Sequence, residues 1–273
     1  MKWPAKFNGA GIGLVLLVAF SGTTAAAGAT RPTTRTITLP AEIKAYQEAT
    51  LTAKVAGYLK SLSVDKGDRV KVGDLIADIE VPELLADRAQ YEAQVEVAKL
   101  DFDRMQQAIK TAPDLITPQI LDQARGKLKV AQAQLDRVNT LLRYARITAP
   151  FSGTITARYV DPGAYIPVPS NSDQKGAAVV SLMNFSEVRI QIPVPEDEAL
   201  NIGTNTPATF TVQSLPKRQF RGAITRISYA LDQGTKTMLA EIDMPNPGDV
   251  LRPGMYATVQ FVLPMGAANA RTP

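Results

Sequence analysis

Residues 82–145 read PELLADRAQYEAQVEVAKLDFDRMQQAIKTAPDLITPQILDQARGKLKVAQAQLDRVNTLLRYA. Apolar or small residues recur at alternating spacings of three and four. Going up they are Leu84, Tyr91, Val95, Ala98, Phe102, Met105, Ile109 and Ala112, with Arg88 the one departure. Coming back they are Leu121, Ala124, Leu128, Ala131, Leu135, Val138, Leu142 and Ala145, without a break. A 3.5-residue repeat held for more than three heptads in each arm is the pattern of a coiled coil. Thr111-Ala-Pro-Asp-Leu-Ile-Thr-Pro118 separates the arms, and its two prolines end one helix and open the next. The stretch therefore predicts an antiparallel helical hairpin, each arm reaching roughly 40 Å at about 1.5 Å per residue. Gly126, inside the second arm, costs on the order of 1 kcal/mol relative to Ala. It reads either as a soft point or as a place of close helix approach.

The flanks of the hairpin repeat each other. Before it stands Gly57-Tyr-Leu-Lys-Ser-Leu-Ser-Val-Asp-Lys-Gly67-Asp-Arg-Val70; after it stands Gly153-Thr-Ile-Thr-Ala-Arg-Tyr-Val-Asp-Pro-Gly163-Ala-Tyr-Ile166. Gly57 and Gly153 are 96 positions apart, as are Gly67 and Gly163. Each half alternates apolar residues, turns at a glycine where positive φ is cheap, and resumes an apolar strand. Gly57, Gly67, Gly73, Gly153, Gly163 and Gly254 are read as structural turn positions. Two such β units predict a two-fold β-sandwich into which the hairpin is inserted.

Residues 1–27 have the form of an export signal: Lys2 and Lys6, an apolar run over residues 11–20, then Ala25-Ala-Ala27 for cleavage near Ala27. The run is shorter than the about 20 residues a bilayer span needs; the rival reading is an uncleaved inner-membrane anchor. The chain has no cysteine, which excludes an N-terminal lipid on Cys, disulfides, and thiol-based metal or nucleophile chemistry. The expected place is the periplasm. Of the net charge of +4, Lys2 and Lys6 would leave with the signal. The balance is too mild to argue for a nucleic-acid partner.

Residues 33–43 alternate β-branched residues and read as a strand with a remote partner. Residues 51–80 form the first β half and residues 146–183 the second, with a Pro/Ser/Asn-rich loop at 167–176. Beyond Val188 the pattern is all-β. One short helix is expected in Pro195-Glu-Asp-Glu-Ala-Leu-Asn-Ile-Gly203, and strands at 206–212, 219–228, 238–244 and 255–262. Turns at Pro245-Asn-Pro-Gly248 and Arg252-Pro-Gly254 separate the last of them, and the set predicts a small closed barrel.

Five stretches together resemble the periplasmic adaptor subunits, or membrane fusion proteins, of tripartite efflux pumps. They are Ala53-Lys-Val-Ala-Gly-Tyr-Leu, Val64-Asp-Lys-Gly-Asp-Arg-Val-Lys-Val-Gly-Asp-Leu-Ile-Ala-Asp-Ile, Tyr144-Ala-Arg-Ile-Thr-Ala-Pro-Phe-Ser-Gly-Thr-Ile, Val160-Asp-Pro-Gly-Ala-Tyr-Ile and Leu251-Arg-Pro-Gly-Met-Tyr-Ala. The resemblance implies an α+β, multi-domain, elongated chain: a split lipoyl-like β-sandwich, an inserted antiparallel α-helical hairpin, then a small β-barrel. The expected divisions are 1–27 signal, 28–45 a segment and strand joining the barrel, 46–81 and 146–184 the lipoyl-like halves, 82–145 the hairpin, 185–264 the barrel and 265–273 a tail. The family's membrane-proximal domain is read as absent or vestigial. The implied partners are an inner-membrane transporter, foremost of the resistance-nodulation-division (RND) class, an outer-membrane channel, and further copies of the chain in a ring of six. An ABC-type or major-facilitator exporter is the alternative transporter.

The family also packs its hairpin tip on the channel, often through an Arg, a Leu four residues on and a Ser seven further. Arg104 fits the first place, Ala108 with Ile109 stands at the second, and Thr117 falls best on the third, with the loop two residues longer. Leu115 and Ile116 complete the implied tip contact.

No enzyme is expected. Without histidine, Ser-His-Asp and His–metal chemistry are excluded. Acid groups such as Asp78/Glu80 and Glu196/Asp197/Glu198 read as strand-edge and helix-start charges. The seven methionines are scattered and form no close trio for copper or silver. A biotinyl or lipoyl carrier would need its lysine on the turn that the hairpin occupies; Lys66 and Lys71 lie in other turns. No cofactor is expected.

Overall fold

The computed structural model of the chain describes residues 34–111, 117–167 and 177–264. In order these form β1 (Thr34–Thr52), β2 (Gly57–Leu62), β3 (Arg69–Val70), β4 (Leu75–Glu80), α1 (Pro82–Thr111) and α2 (Pro118–Tyr144). There follow β5 (Arg146–Thr148), β6 (Gly153–Arg158), β7 (Tyr165–Ile166), β8 (Ala178–Pro195) and α3 (Glu196–Ala199). The chain continues with β9 (Pro207–Val212), β10 (Gln219–Ala223), β11 (Arg226–Leu231), β12 (Thr237–Pro245) and β13 (Tyr256–Pro264). The signal, the 168–176 loop, the tail and residues 112–116 lie outside the described residues.

The sequence repeat is a structural repeat. One layer runs β5-β4-β2-β7; the other is built from β3, β6, β8 and the end of β1. Between them Leu59, Ile76, Ile155, Ile166 and Leu182 are fully buried in one core. The halves exchange equivalent hydrogen bonds. The Gly67 N–H donates to Ile155 O at 2.8 Å and the Gly163 N–H to Leu59 O at 2.7 Å; Leu59 N–H donates to Ala164 O and Ile155 N–H to Asp68 O. Pairing follows the same two-fold relation: Arg69 lies opposite Thr154, and Tyr165 opposite Tyr58. The relation extends upstream of the motif that reveals it. Leu51-Thr-Ala53 and Ile147-Thr-Ala149 are also 96 apart; Leu51 pairs with Val180 as Ile147 pairs with Ala77.

Gly67 and Gly163 take φ of +93° and +88°, the left-handed region that glycine, lacking a Cβ, enters at little cost; Gly73 and Gly254 share it. Gly57 and Gly153 correct the reading of them as turn residues. Each opens a strand, β2 or β6, and its glycine serves close approach instead. A Cβ at Gly57 would sit 2.5 Å from Glu80 O, and at Gly153 2.5 Å from Met183 O.

α1 and α2 run antiparallel between β4 and β5. Leu84 at the start of α1 and Leu141 and Leu142 at the end of α2 rest on the same β core. Toward the far end the Arg125 guanidinium lies 5.9 Å from the Phe102 ring. The shielded positions are the heptad ones: Tyr91, Val95, Ala98, Phe102, Met105 and Ile109 in α1 face inward in part, and Ala124, Ala131 and Val138 in α2 are buried.

The second core is enclosed by strands in the order β10-β9-β13-β1-β8-β12-β11. Ile43, Val188, Ile190, Ile192, Phe210, Ile224, Ile242 and Phe261 fill it with essentially no exposure. Two expected divisions change. The strand read at 33–43 does not stop before the sandwich: β1 continues to Thr52, and β8 likewise unites the stretches at 179–183 and 188–194. These two paired strands therefore take part in both cores. The strand read at 219–228 is two strands, because Ile224 turns inward and its N–H donates to Thr206 O while Thr225 N–H donates to Glu241 O. The chain thereby steps from the side of β9 to the side of β12.

Candidate partner-docking site

The distal end of the helical pair is set by the residues that stop and start it. At the end of α1 the Thr111 Oγ1 donates to Gln107 O at 3.1 Å and Ala108 O at 3.2 Å, folding the hydroxyl back onto the last turn. Lys110 adds a positive charge there, which suits a helix C-terminus. α2 begins with Pro118 after an extended Thr117 (φ −73°, ψ 146°), whose carbonyl accepts the Ile120 N–H at 3.0 Å.

Arg104 and Ala108 stand one turn apart on the outgoing arm. The Arg104 side chain is 71 % exposed, and among the described residues its ion-pair partner is Asp101 at 3.6 Å. Ala108 and Ile109 are half-buried; Ile109 belongs to the seam between the helices. Thr117 is exposed and its hydroxyl caps nothing. Leu115 and Ile116 lie outside the described residues. Ile120, which the reading of the sequence passed over, is 40 % exposed in the first turn of α2. The signal for it was its place beside Leu121: the seam takes Leu121 and leaves Ile120 outward.

The acidic groups weighed as chemistry lie in separate places. Asp78 stands opposite Arg146 between β4 and β5. Glu198 is held by Arg35, whose Nη1 donates to Oε1 at 2.8 Å. Lys66 and Lys71 sit in turns whose own amides are taken by Asp65 and Asp74. Among the described residues no group of three or more His, Cys, Asp or Glu is arranged around a cation, and no buried side-chain polar atom lacks a partner. No described helix is long and apolar enough to cross a membrane.

A split sandwich that holds a helical hairpin and shares its longest strands with a following barrel defines a class of connecting protein. Residues 47–181 match the family described as "RND MFP, barrel-sandwich hybrid domain" and residues 187–265 that described as "CusB-like, beta-barrel domain". The chain belongs to the membrane fusion proteins. It is 27 % identical over 252 residues to the macrolide export protein MacA of Escherichia coli O157:H7, covering 81 % of this chain and 66 % of that one. It is 25 % identical over 237 residues to the multidrug resistance protein MdtA of Proteus mirabilis, covering 80 % and 56 %. The chain thus spans between about half and two thirds of these curated relatives. A solved MacA–MexA chimera with the α-hairpin of Pseudomonas aeruginosa MexA shares the fold, with a TM-score of 0.67 at 24 % identity over 84 % of this chain and 79 % of that one. The membrane fusion protein Spr0693 of Streptococcus pneumoniae R6 does so at 0.66, with 19 % identity over 83 % and 98 %.

Proposed function

We propose that the chain is the periplasmic adaptor of a tripartite efflux pump, joining an inner-membrane transporter of the RND class to an outer-membrane channel. The observation that supports it is the order of parts: sandwich half, hairpin, sandwich half, barrel, matched across residues 47–265 by two family models with RND-linked names. The names of the relatives, a macrolide export protein and a multidrug resistance protein, point the same way. In this reading the work is mechanical and no bond is made or broken. Copies of the chain pack side by side as a ring, expected to hold six. Their hairpin tips meet the helical ends of the channel through Arg104, Ala108, Ile109, Leu115, Ile116 and Thr117, with Ile120 added.

Crosslinking the tagged protein in cell envelopes and identifying its partners by mass spectrometry tests this. Recovery of an RND transporter together with an outer-membrane channel is the expected result. An ABC or major-facilitator transporter in its place would keep the adaptor role and replace the class. Recovery of neither, beside a working control pump, would overturn the proposal. Thr117→Asp, at an exposed position, should remove the channel from the captured set and leave the transporter.

A further inference from the structure

The chain passes between its two cores twice, in β1 and in β8, and both passages are irregular at the same level. Ala45 pairs with Val188, and the next registered pair is Gln47 with Asn184. Tyr46 alone therefore stands opposite residues 185–187. A mismatch of this kind interrupts the ladder and concentrates bending. The joint lies between the buried parts of the two cores, Ile43 and Val188 on the barrel side and Ala53 and Leu182 on the sandwich side, and Phe185 in it packs, partly buried, against the barrel core. Beside it opens a cleft of about 810 Å³, walled by Lys44, Glu48, Thr154 and Phe185 among others.

One ion pair spans that cleft. Arg69 of β3, in the sandwich, donates through Nη2 to Oδ2 of Asp249, in the loop between β12 and β13 of the barrel. The loop is built to hold this carboxylate still. Asn246, 4 % exposed, donates through Nδ2 to Phe185 O at 2.9 Å and Leu251 O at 2.7 Å, and its Oδ1 accepts the Leu251 N–H at 3.0 Å. Its own N–H donates to Ser186 O, and the Gly254 N–H donates to Ile43 O, each at 2.8 Å. The loop is thus clamped to β1 on the barrel side of the joint, at Ile43, and to β8 within the joint, at Phe185 and Ser186. The two-fold relation of the sandwich supplies a control. The counterpart of Arg69 is Tyr165, which has no ion pair to make; it lies edge-on to Tyr58, centroids 5.3 Å apart, and is exposed. Of the two equivalent positions, the one that lines the cleft carries the arginine.

We infer that Arg69 and Asp249 form a breakable latch that fixes the angle between the hairpin-bearing sandwich and the barrel, with the irregularity of β1 and β8 as its hinge. The Arg69 side chain is 77 % exposed and that of Asp249 28 %. Water and salt therefore compete for both charges, and the pair yields where a buried one would lock. A protein pressing on either core can exchange this pair for its own contacts and release the angle. The latch requires no particular transporter, so it stands or falls separately from the adaptor reading.

The absence of cysteine makes the test direct. Cysteines placed at exposed Lys60 in the sandwich and Arg221 in the barrel accept spin labels, and electron–electron resonance reads the distance between the cores. At about 20 mM salt a narrow distribution is expected, broadening toward about 500 mM as the exposed pair is screened. Arg69→Ala and Asp249→Asn should each broaden it at low salt to the same degree, lowering the population of the narrow state up to about 5-fold, and the double variant should add nothing. Asn tolerates the left-handed φ of +53° at residue 249, so this variant keeps the loop even if the other perturbs folding. A distribution unchanged by Asp249→Asn and by salt, or effects that add in the double variant, would overturn the latch.

Discussion

An added Cβ at Gly153 would lie 2.5 Å from the Met183 carbonyl oxygen, whereas at Gly163, ten positions on, it would meet nothing within 4 Å. The two glycines are required for different reasons, and their alanine variants separate those reasons. Gly163→Ala costs backbone strain alone at φ +88°, about 1–2 kcal/mol. Gly153→Ala drives a methyl into a backbone atom of the paired strand, which can yield only by disturbing β8, and should cost more than about 2 kcal/mol. Urea unfolding of both measures the difference; equal losses would mean that β6 and β8 relax apart freely. Asp232 shows a second residue-level device. Its Oδ1 accepts the Gly234 and Thr235 amides, each at 2.9 Å, and the Thr235 hydroxyl at 3.1 Å. These bonds, the Thr235 amide foremost, hold the carboxyl below its ordinary value, since they favour the charged form. The turn is then fully braced above the ordinary Asp value of about 3.9 and loses the brace as pH falls through the lower, folded value. The Thr235 amide resonance, followed with pH, should move with a midpoint below that of Asp in a peptide. A midpoint at or above it would show that the bonds do not persist in solution.

At the scale of elements, the helices were legible and the long strands were not. The seam of α1 and α2 can be read because a 3.5-residue repeat is local: each position is set by neighbours three and four residues away. Continuation of β1 through residues 44–50, Lys-Ala-Tyr-Gln-Glu-Ala-Thr, has no such local signal, since most of these residues favour helix. Only pairing with β8, some 135 residues on, makes them a strand, so pairing overrides propensity there. The tip contact rests on a family pattern laid on Arg104 and Thr117, and the exposed Ile120 went unread because its neighbour Leu121 satisfied the repeat. Arg69 and Asp249 had no chance of recognition, being 180 positions apart, one in a two-residue strand and the other in a loop, with no local pattern to link them. Gly126 was left between two readings, and the structure now favours one of them. A Cβ at Gly126 would meet no atom within 4 Å, so close packing inside this chain does not require glycine. Gly126→Ala should slow amide exchange along α2 and stabilise its opening equilibrium by about 0.5–1 kcal/mol. Faster exchange in the variant would mean that the glycine relieves a constraint inside the hairpin.

At the scale of the molecule, the hairpin is an excursion from a sandwich that closes without it. Asp78 and Arg146 are already paired across β4 and β5, and the Ile79 N–H donates to Ala145 O at 2.9 Å, so the chain leaves and returns at one point. The sandwich core draws its fully buried side chains from the β strands and the residues that flank them; from the helices it receives only the partial cover of Leu84, Leu141 and Leu142. Replacing residues 82–144 with Asn-Gly would join the paired Ile79 and Ala145 through a four-residue loop, Glu80-Val81-Asn-Gly, a length that adjacent antiparallel strands accept, and should therefore leave both β cores folded. The lost cover costs on the order of 2–4 kcal/mol, several partly buried apolar side chains being removed together. Circular dichroism should lose its helical signal and keep its β signal, with a cooperative urea transition remaining. The same variant divides the proposed function by region. If the tip meets the channel and the β cores meet the transporter, crosslinking in the envelope should still capture the transporter and should lose the channel. Capture of both by the shortened chain would place channel contact on the β cores and end the case for Arg104 and Thr117. Loss of both, with the β fold intact, would show that the transporter too holds the chain through its helices.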